Sequence, residues 1–124
     1  MAKQQLPKLS PTETEIQQRI CQLGKASVQE VYESFPAKRK ISYPTVQTVL
    51  RRLEKKGYLK HQLKGNAYVF TSTVRQDTVI NRSISELLER LFSGDPMLLM
   101  QHLAKHRKLS TQDIETLKEM VEKE

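Results

Sequence analysis

The sequence predicts a mainly α-helical protein carrying one small β-hairpin, and three observations lead there. Apolar residues recur at helical spacing in six segments, each opened by a capping pattern or closed by a glycine or proline. A single stretch, residues 58–71, switches to Tyr, Val, Phe and Thr around a Lys64-Gly65-Asn66 turn. Composition agrees: aromatics are 6% of the 124 residues, Trp is absent, and four Gly and five Pro are too few for a β-rich or low-complexity chain.

The first helix starts at Leu9-Ser10-Pro11-Thr12-Glu13, where Ser10 and Glu13 form a capping box and Pro11 sits at the first helical position. Ile16, Ile20 and Leu23 give its apolar stripe, and Gly24 closes it. Ser27-Val28-Gln29-Glu30 repeats the capping box for a shorter helix with Val28, Val31, Tyr32 and Phe35, stopped by Pro36. A basic connector, Lys38-Arg39-Lys40, leads to Ile41 and Ser42, the N′ and N-cap of a third helix. There Val46, Val49, Leu50 and Leu53 form the buried stripe, leaving Pro44, Gln47, Thr48, Arg51 and Lys55 opposite, flanked by Thr45 and Arg52. After Gly57 comes the hairpin, Tyr58 to Leu63 and Ala67 to Thr71. From Thr73 the pattern is helical again, with Ile80, Ile84, Leu87, Leu88 and Leu91 on one side up to Gly94. Asp95-Pro96 opens a fifth helix, Met97, Leu98, Leu99, Met100 and Leu103, apolar around most of its circumference. Leu109, Ser110 and Asp113 open a sixth with Ile114, Leu117 and Val121.

Length and charge narrow the function. At 124 residues the chain is one reading module with an appendage, short for an enzyme with a sequestered active site. Its 21 Lys and Arg against 14 Asp and Glu leave +7, which favours a polyanion, nucleic acid ahead of a membrane surface. That charge is divided: residues 1–70 hold 13 Lys/Arg and five Asp/Glu, or +8, and residues 71–124 hold eight and nine, or −1. No apolar run approaches the roughly 20 residues of a bilayer span, and MAKQQLPKLS has no apolar leader core, so a cytoplasmic chain without a membrane partner is expected. The single Cys21 excludes an internal disulfide and a Cys-based zinc set; it reads as a small core residue, with a redox switch as the alternative. No phosphate loop, paired-carboxylate motif or Ser/His/Asp arrangement stands out, so no enzyme and no cofactor is expected. His102 and His106 stand four apart without further ligands and read as solvated residues, not as a metal site.

Three helices followed by a hairpin, all in the basic part, is the order of a winged helix–turn–helix module. The block Ser42-Tyr43-Pro44-Thr45-Val46-Gln47-Thr48-Val49-Leu50-Arg51-Arg52-Leu53-Glu54-Lys55-Lys56-Gly57-Tyr58 resembles the third-helix signature of the penicillinase and methicillin-resistance repressor family (BlaI/MecI/CopY type). Leu9-Ser10-Pro11-Thr12-Glu13 and Leu91-Phe92-Ser93-Gly94-Asp95-Pro96 also match its pattern, and the resemblance covers about residues 7 to 124. It implies a winged helix–turn–helix DNA-binding domain over residues 1–72 followed by a helical dimerisation domain over 73–124. It also implies a homodimeric repressor on a palindromic double-stranded DNA operator, with a sensor protease that cleaves the fifth helix as a candidate partner. Two departures stand out. Gln101-His102 occupies the place of the family's cleaved Asn-Phe pair, and no cysteine follows Cys21, which excludes copper sensing through a C-terminal cysteine cluster. The inducing signal, by cleavage, ligand or oxidation of Cys21, stays open.

The residues themselves assign roles. A helix fits the major groove with its N-terminal side chains at base edges. Thr45 and Thr48 suit thymine methyls or base edges, Gln47 suits adenine, and Arg51 suits guanine or phosphate, with Ser42, Tyr43 and Pro44 completing the helix start. Arg52, Lys55 and the connector's Lys38, Arg39 and Lys40 suit phosphates, as do Lys60, His61, Lys64 and Asn66 around the hairpin turn. Lys60 equally serves to blunt an edge strand, and Lys3 and Lys8 form a basic tail or backbone contact. Ile80, Ile84, Leu87, Leu88, Leu91, Leu98, Leu99, Leu103, Ile114, Leu117 and Val121 are the expected dimerisation surface, since an end-of-chain appendage buries such stripes against a partner. Two rivals stand beside the repressor: a nonspecific architectural DNA-binding protein and a winged-helix module that binds protein.

Overall fold

The computed structural model describes residues 6–123, so the expectation for Lys3 lies outside the described residues. The chain divides into two compact units at Asn81 and Arg82.

The first unit starts with α1 (Pro11–Leu23), β1 (Lys25–Ser27) and α2 (Val28–Glu33), continues with α3 (Tyr43–Lys55), β2 (Leu59–Lys64) and β3 (Ala67–Ser72), and ends inside α4 (Gln76–Phe92). Its helices begin where side chains satisfy otherwise orphaned amides. Glu13 N–H donates to Ser10 Oγ at 3.2 Å while Ser10 N–H donates to Glu13 Oε1 at 2.8 Å; Ser27 and Glu30 repeat the exchange. Ser42 Oγ accepts from Thr45 N–H. At the other end of α3, Gly57 takes φ +95°, so that Gly57 N–H reaches Glu54 O and Tyr58 N–H reaches Leu53 O, both at 3.0 Å, a Schellman closure.

A finding beyond the hairpin is β1, which makes the sheet three-stranded and antiparallel, in the order β1-β3-β2. Three residues carry too little alternation to announce a strand; Lys25, Ala26 and Ser27 are recruited by pairing with Thr71, Phe70 and Val69. The turn also tightens: Lys64 belongs to β2, leaving Gly65 and Asn66 as a two-residue connection, with Gly65 at the positive φ (+62°) that a type II′ turn requires at its first position. The core gathers Ile16, Ile20, Ala26, Val31, Phe35, Val46, Val49, Leu50, Leu53, Tyr58, Leu59 and Phe70, with Ile41 packed against it as expected for the residue before the N-cap. Leu23 leaves its expected stripe and is exposed at the end of α1, and Cys21 is half-buried, outside the core cluster. Val79, at the start of α4, is buried although it lies off the Ile80–Leu91 stripe.

The second unit holds the rest of α4, then α5 (Pro96–Lys105) and α6 (Thr111–Glu122). Ser93 and Gly94 turn the chain with φ of +51° and +79°, and Asp95 caps α5 through Met97 N–H. The end of α5 repeats the Schellman pattern, Arg107 N–H to Ala104 O and Lys108 N–H to Leu103 O, but with Arg107 in the positive-φ position (+59°). The Ser110 amide and hydroxyl hydrogen-bond Asp113 at the start of α6 and hold its carboxyl below the ordinary value. Neither α5 nor α6 has a buried residue.

Candidate nucleic-acid interface

The site is built on α3, because its apolar stripe fixes which side is presented. Val46, Val49, Leu50 and Leu53 point into the core. Periodicity then leaves Thr45, Thr48, Arg51, Arg52 and Lys55 exposed along one side, with Tyr43 and Pro44 exposed at the start and Gln47 half-buried. The Tyr43 ring meets the edge of Tyr32 from α2 at 5.7 Å, and Thr45 Oγ1 lies 2.8 Å from the capping Ser42 Oγ. The side chains of Thr48, Arg51 and Lys55 take part in no hydrogen bond or ion pair among the described residues, so their polar groups are available to a ligand.

The cations that look alike in the sequence divide into two sets. Lys56 turns inward: its ammonium lies 2.7 Å from Glu13 Oε1 and donates to Lys8 O at 2.9 Å. Arg52 Nη1 is 3.7 Å from the other oxygen of Glu13 while its side chain stays half exposed. Burial would push the Glu13 carboxyl up, but the Lys56 hydrogen bond, the Ser10 amide and the charges of Lys56 and Arg52 outweigh it and hold the group below its ordinary value. Arg39 donates to both Glu15 oxygens, from Nε at 3.0 and 3.1 Å and from Nη2 at 2.8 Å, and this hydrogen bonding holds Glu15 below the usual range. Arg39 therefore pins the connector to α1. Lys38 and Lys40 on either side are exposed, and neither side chain has a hydrogen bond or ion pair among the described residues.

Strand alternation sorts the hairpin in the same way. Leu59, His61 and Leu63 share one face with Ser72, Phe70 and Tyr68, the residues they oppose. That face packs on the core through Leu59 and Phe70 and meets α3 through His61, whose Nδ1 is 2.5 Å from Glu54 Oε2. Lys60 and Lys64 stand on the opposite face, Lys60 in a row with Thr71 and Lys25. Asn66 is exposed in the turn. The Glu54–His61 link is absent from any helix or strand period, since it joins two elements across a turn.

On the helical side, Ile80, Ile84, Leu91, Leu98, Ile114, Leu117 and Val121 are exposed, Val121 by 73%, and Leu87, Leu88, Leu99 and Leu103 are half-buried. Met97, Met100 and Met120 add exposed apolar surface. His102 and His106 stack at 4.3 Å, and among the described residues no cluster of three or more metal-ligating side chains occurs.

With this geometry, the model of the penicillinase repressor family matches residues 9–123. The chain belongs to that family. The penicillinase repressor of Staphylococcus aureus is 26% identical over 121 residues, covering 98% of this chain and 95% of its own. Among solved structures, the DNA-binding domain of the repressor BlaI superposes with a TM-score of 0.52 at 30% identity, over 60% of this chain and 90% of that one. The Bacillus licheniformis BlaI monomeric form in complex with the blaP half-operator superposes at 0.50 with 31% identity, over 59% of this chain and 89% of that one. Membership makes the chain a winged-helix transcriptional repressor and not an enzyme. Among the described residues no helix is long and apolar enough to cross a membrane.

Proposed function

We propose that the chain is a homodimeric repressor that acts in the cytoplasm by occupying a palindromic operator, with residues 1–72 as the reading head and 73–124 as the dimerisation part. One observation carries the DNA side of this reading: α3 exposes a polar start followed by two cations, Arg51 and Lys55, that are unpaired among the described residues and lie on the side opposite its buried stripe. Thr45, Gln47 and Thr48 read base edges, Arg51 reaches guanine or phosphate, and Arg52 and Lys55 hold phosphates with Lys38 and Lys40. The B. licheniformis relative is described with a half-operator as a monomer, which supports one head for each half-site. Apolar side chains left exposed on α5 and α6 support pairing with a second copy. Release follows a signal that breaks the dimer, with proteolysis of these helices by a sensor protease as the candidate route.

Fluorescence anisotropy on operator and scrambled duplexes across a salt series tests this reading. Lys55→Ala is expected to weaken binding on every sequence and reduce the salt slope by about one, whereas Thr48→Ala alters preference at one position. Equal affinity for scrambled DNA would favour an architectural protein, and no binding at any salt a protein-interaction module.

A further inference from the structure

The geometry points to Tyr68 as a DNA-contacting residue of the hairpin, aimed at the sugar edge beside the α3 half-site by a Glu54–His61 brace; this rests on the repressor reading above. The hairpin's lysines are on the wrong face to do this work. Alternation puts Lys60 and Lys64 away from α3, while the face on the α3 side carries His61, Leu63 and Tyr68. The inner end of that face is closed, Leu59 at 3% and Phe70 at 2% exposure, and the outer end is open, Leu63 at 63% and Tyr68 at 50%. Leu63 and Tyr68 oppose each other directly, so the core face of the sheet runs out of protein and ends in an exposed apolar pair, one pair beyond His61, the residue that meets α3.

The position of that pair is fixed from α3. His61 lies between Glu54 and Tyr68: its Nδ1 meets the Glu54 carboxylate, its ring stands 4.6 Å from the Tyr68 ring, and Phe70 backs it at 5.9 Å. A movement of α3 is thereby carried to the hairpin tip. The occupant follows from charge. Arg51 and Lys55, exposed and without an ion pair among the described residues, flank Glu54 on α3 by helical spacing, which brings a phosphate backbone toward this face, and the group a backbone offers an aromatic ring and a leucine is the deoxyribose. Glu54, an acid on a helix that approaches phosphates, is engaged by His61 at the same time. Glu54 and His61 are positioning residues, and Tyr68 with Leu63 makes the contact.

The test uses the full chain and a 30-base-pair duplex enriched from a randomised library by the wild type, with anisotropy across a salt series and hydroxyl-radical footprinting. Tyr68→Ala is expected to lower affinity about tenfold with the salt slope unchanged, because an apolar contact releases no counterions. It also loses protection of the sugars flanking the α3 site. Tyr68→Phe stays within about twofold of the wild type, since the ring supplies the apolar contact. Leu63→Ala, at a position too exposed to upset the core, loses protection of the same sugars. Glu54→Ala reproduces that loss and is not additive with Tyr68→Ala in a double-mutant cycle. Tyr68→Ala and Leu63→Ala with full affinity and intact sugar protection would overturn the contact, and additivity of Glu54→Ala with Tyr68→Ala would overturn the brace. A wild-type chain that enriches no duplex overturns the repressor reading itself, and this one with it.

Discussion

Glu13 looks like an ordinary helix-capping acid, yet it is 1% exposed and anchors the end of α3 through Lys56. Its folded carboxyl titrates below the ordinary 4.5, as does that of Glu15 under Arg39. A depressed folded value means these groups stabilise the protein above the unfolded titration and lose that contribution as pH falls through the folded one. Stability is therefore expected to decline from about pH 5 downward. Glu13→Gln removes the charge, leaves the Lys56 ammonium without its counterion, and is expected to cost about 2 kcal/mol at pH 7. Its stability then declines less than the wild type's between pH 5 and 3; urea midpoints over that range measure both effects, and equal slopes would contradict the assignment. Gln17 is a related case, wholly buried, with Nε2 donating to Ser72 Oγ at 2.9 Å. Nothing in the helix-one stripe distinguishes either residue from a solvated neighbour.

At the scale of elements, two helices end in the same hydrogen-bond pattern with different residues in the left-handed position. Gly57 closes α3 at φ +95° and Arg107 closes α5 at φ +59°. A side chain with Cβ is strained there, so Arg107→Gly is expected to raise stability by about 0.5–1 kcal/mol. Gly57→Ala has the opposite sign, by about 1 kcal/mol or more, because it adds a Cβ 3.1 Å from Leu6 as well as strain. Thermal midpoints at one protein concentration separate the two. Helix starts were legible from capping boxes because both partners lie three residues apart. β1 was not legible, because what makes Lys25–Ser27 a strand is β3, more than 40 residues further along.

For the whole molecule, the first unit closes a core of its own, whereas α5 and α6 leave Leu98, Ile114, Leu117 and Val121 exposed. A second copy of the same faces is the proposed cover. Leu117→Glu places a carboxylate on that surface and is expected to shift light scattering at micromolar concentration from dimer to monomer and to weaken operator binding, while far-UV circular dichroism keeps the signal of the reading head. A wild type that scatters as a monomer would contradict the proposal. The uneven charge, +8 in residues 1–70 and −1 in 71–124, fits this arrangement, since near-neutral surfaces approach one another without the repulsion that the head would impose.

By itself the sequence determined the helices, their caps, the hairpin and the side of α3 that faces away from the core. Each of these depends on residues within one turn or one strand of each other, where period and capping chemistry are read directly. Tertiary structure decided which cations are available, because Lys56 meets Glu13 across 43 residues and Arg39 meets Glu15 across 24. It also decided that the hairpin sets His61 against Glu54 of α3, with Leu63 and Tyr68 on that same sheet face and its lysines on the other. Local patterns specify an element's faces, but only packing specifies what each face meets, and the charge left over for a partner is what remains after those internal pairings are made.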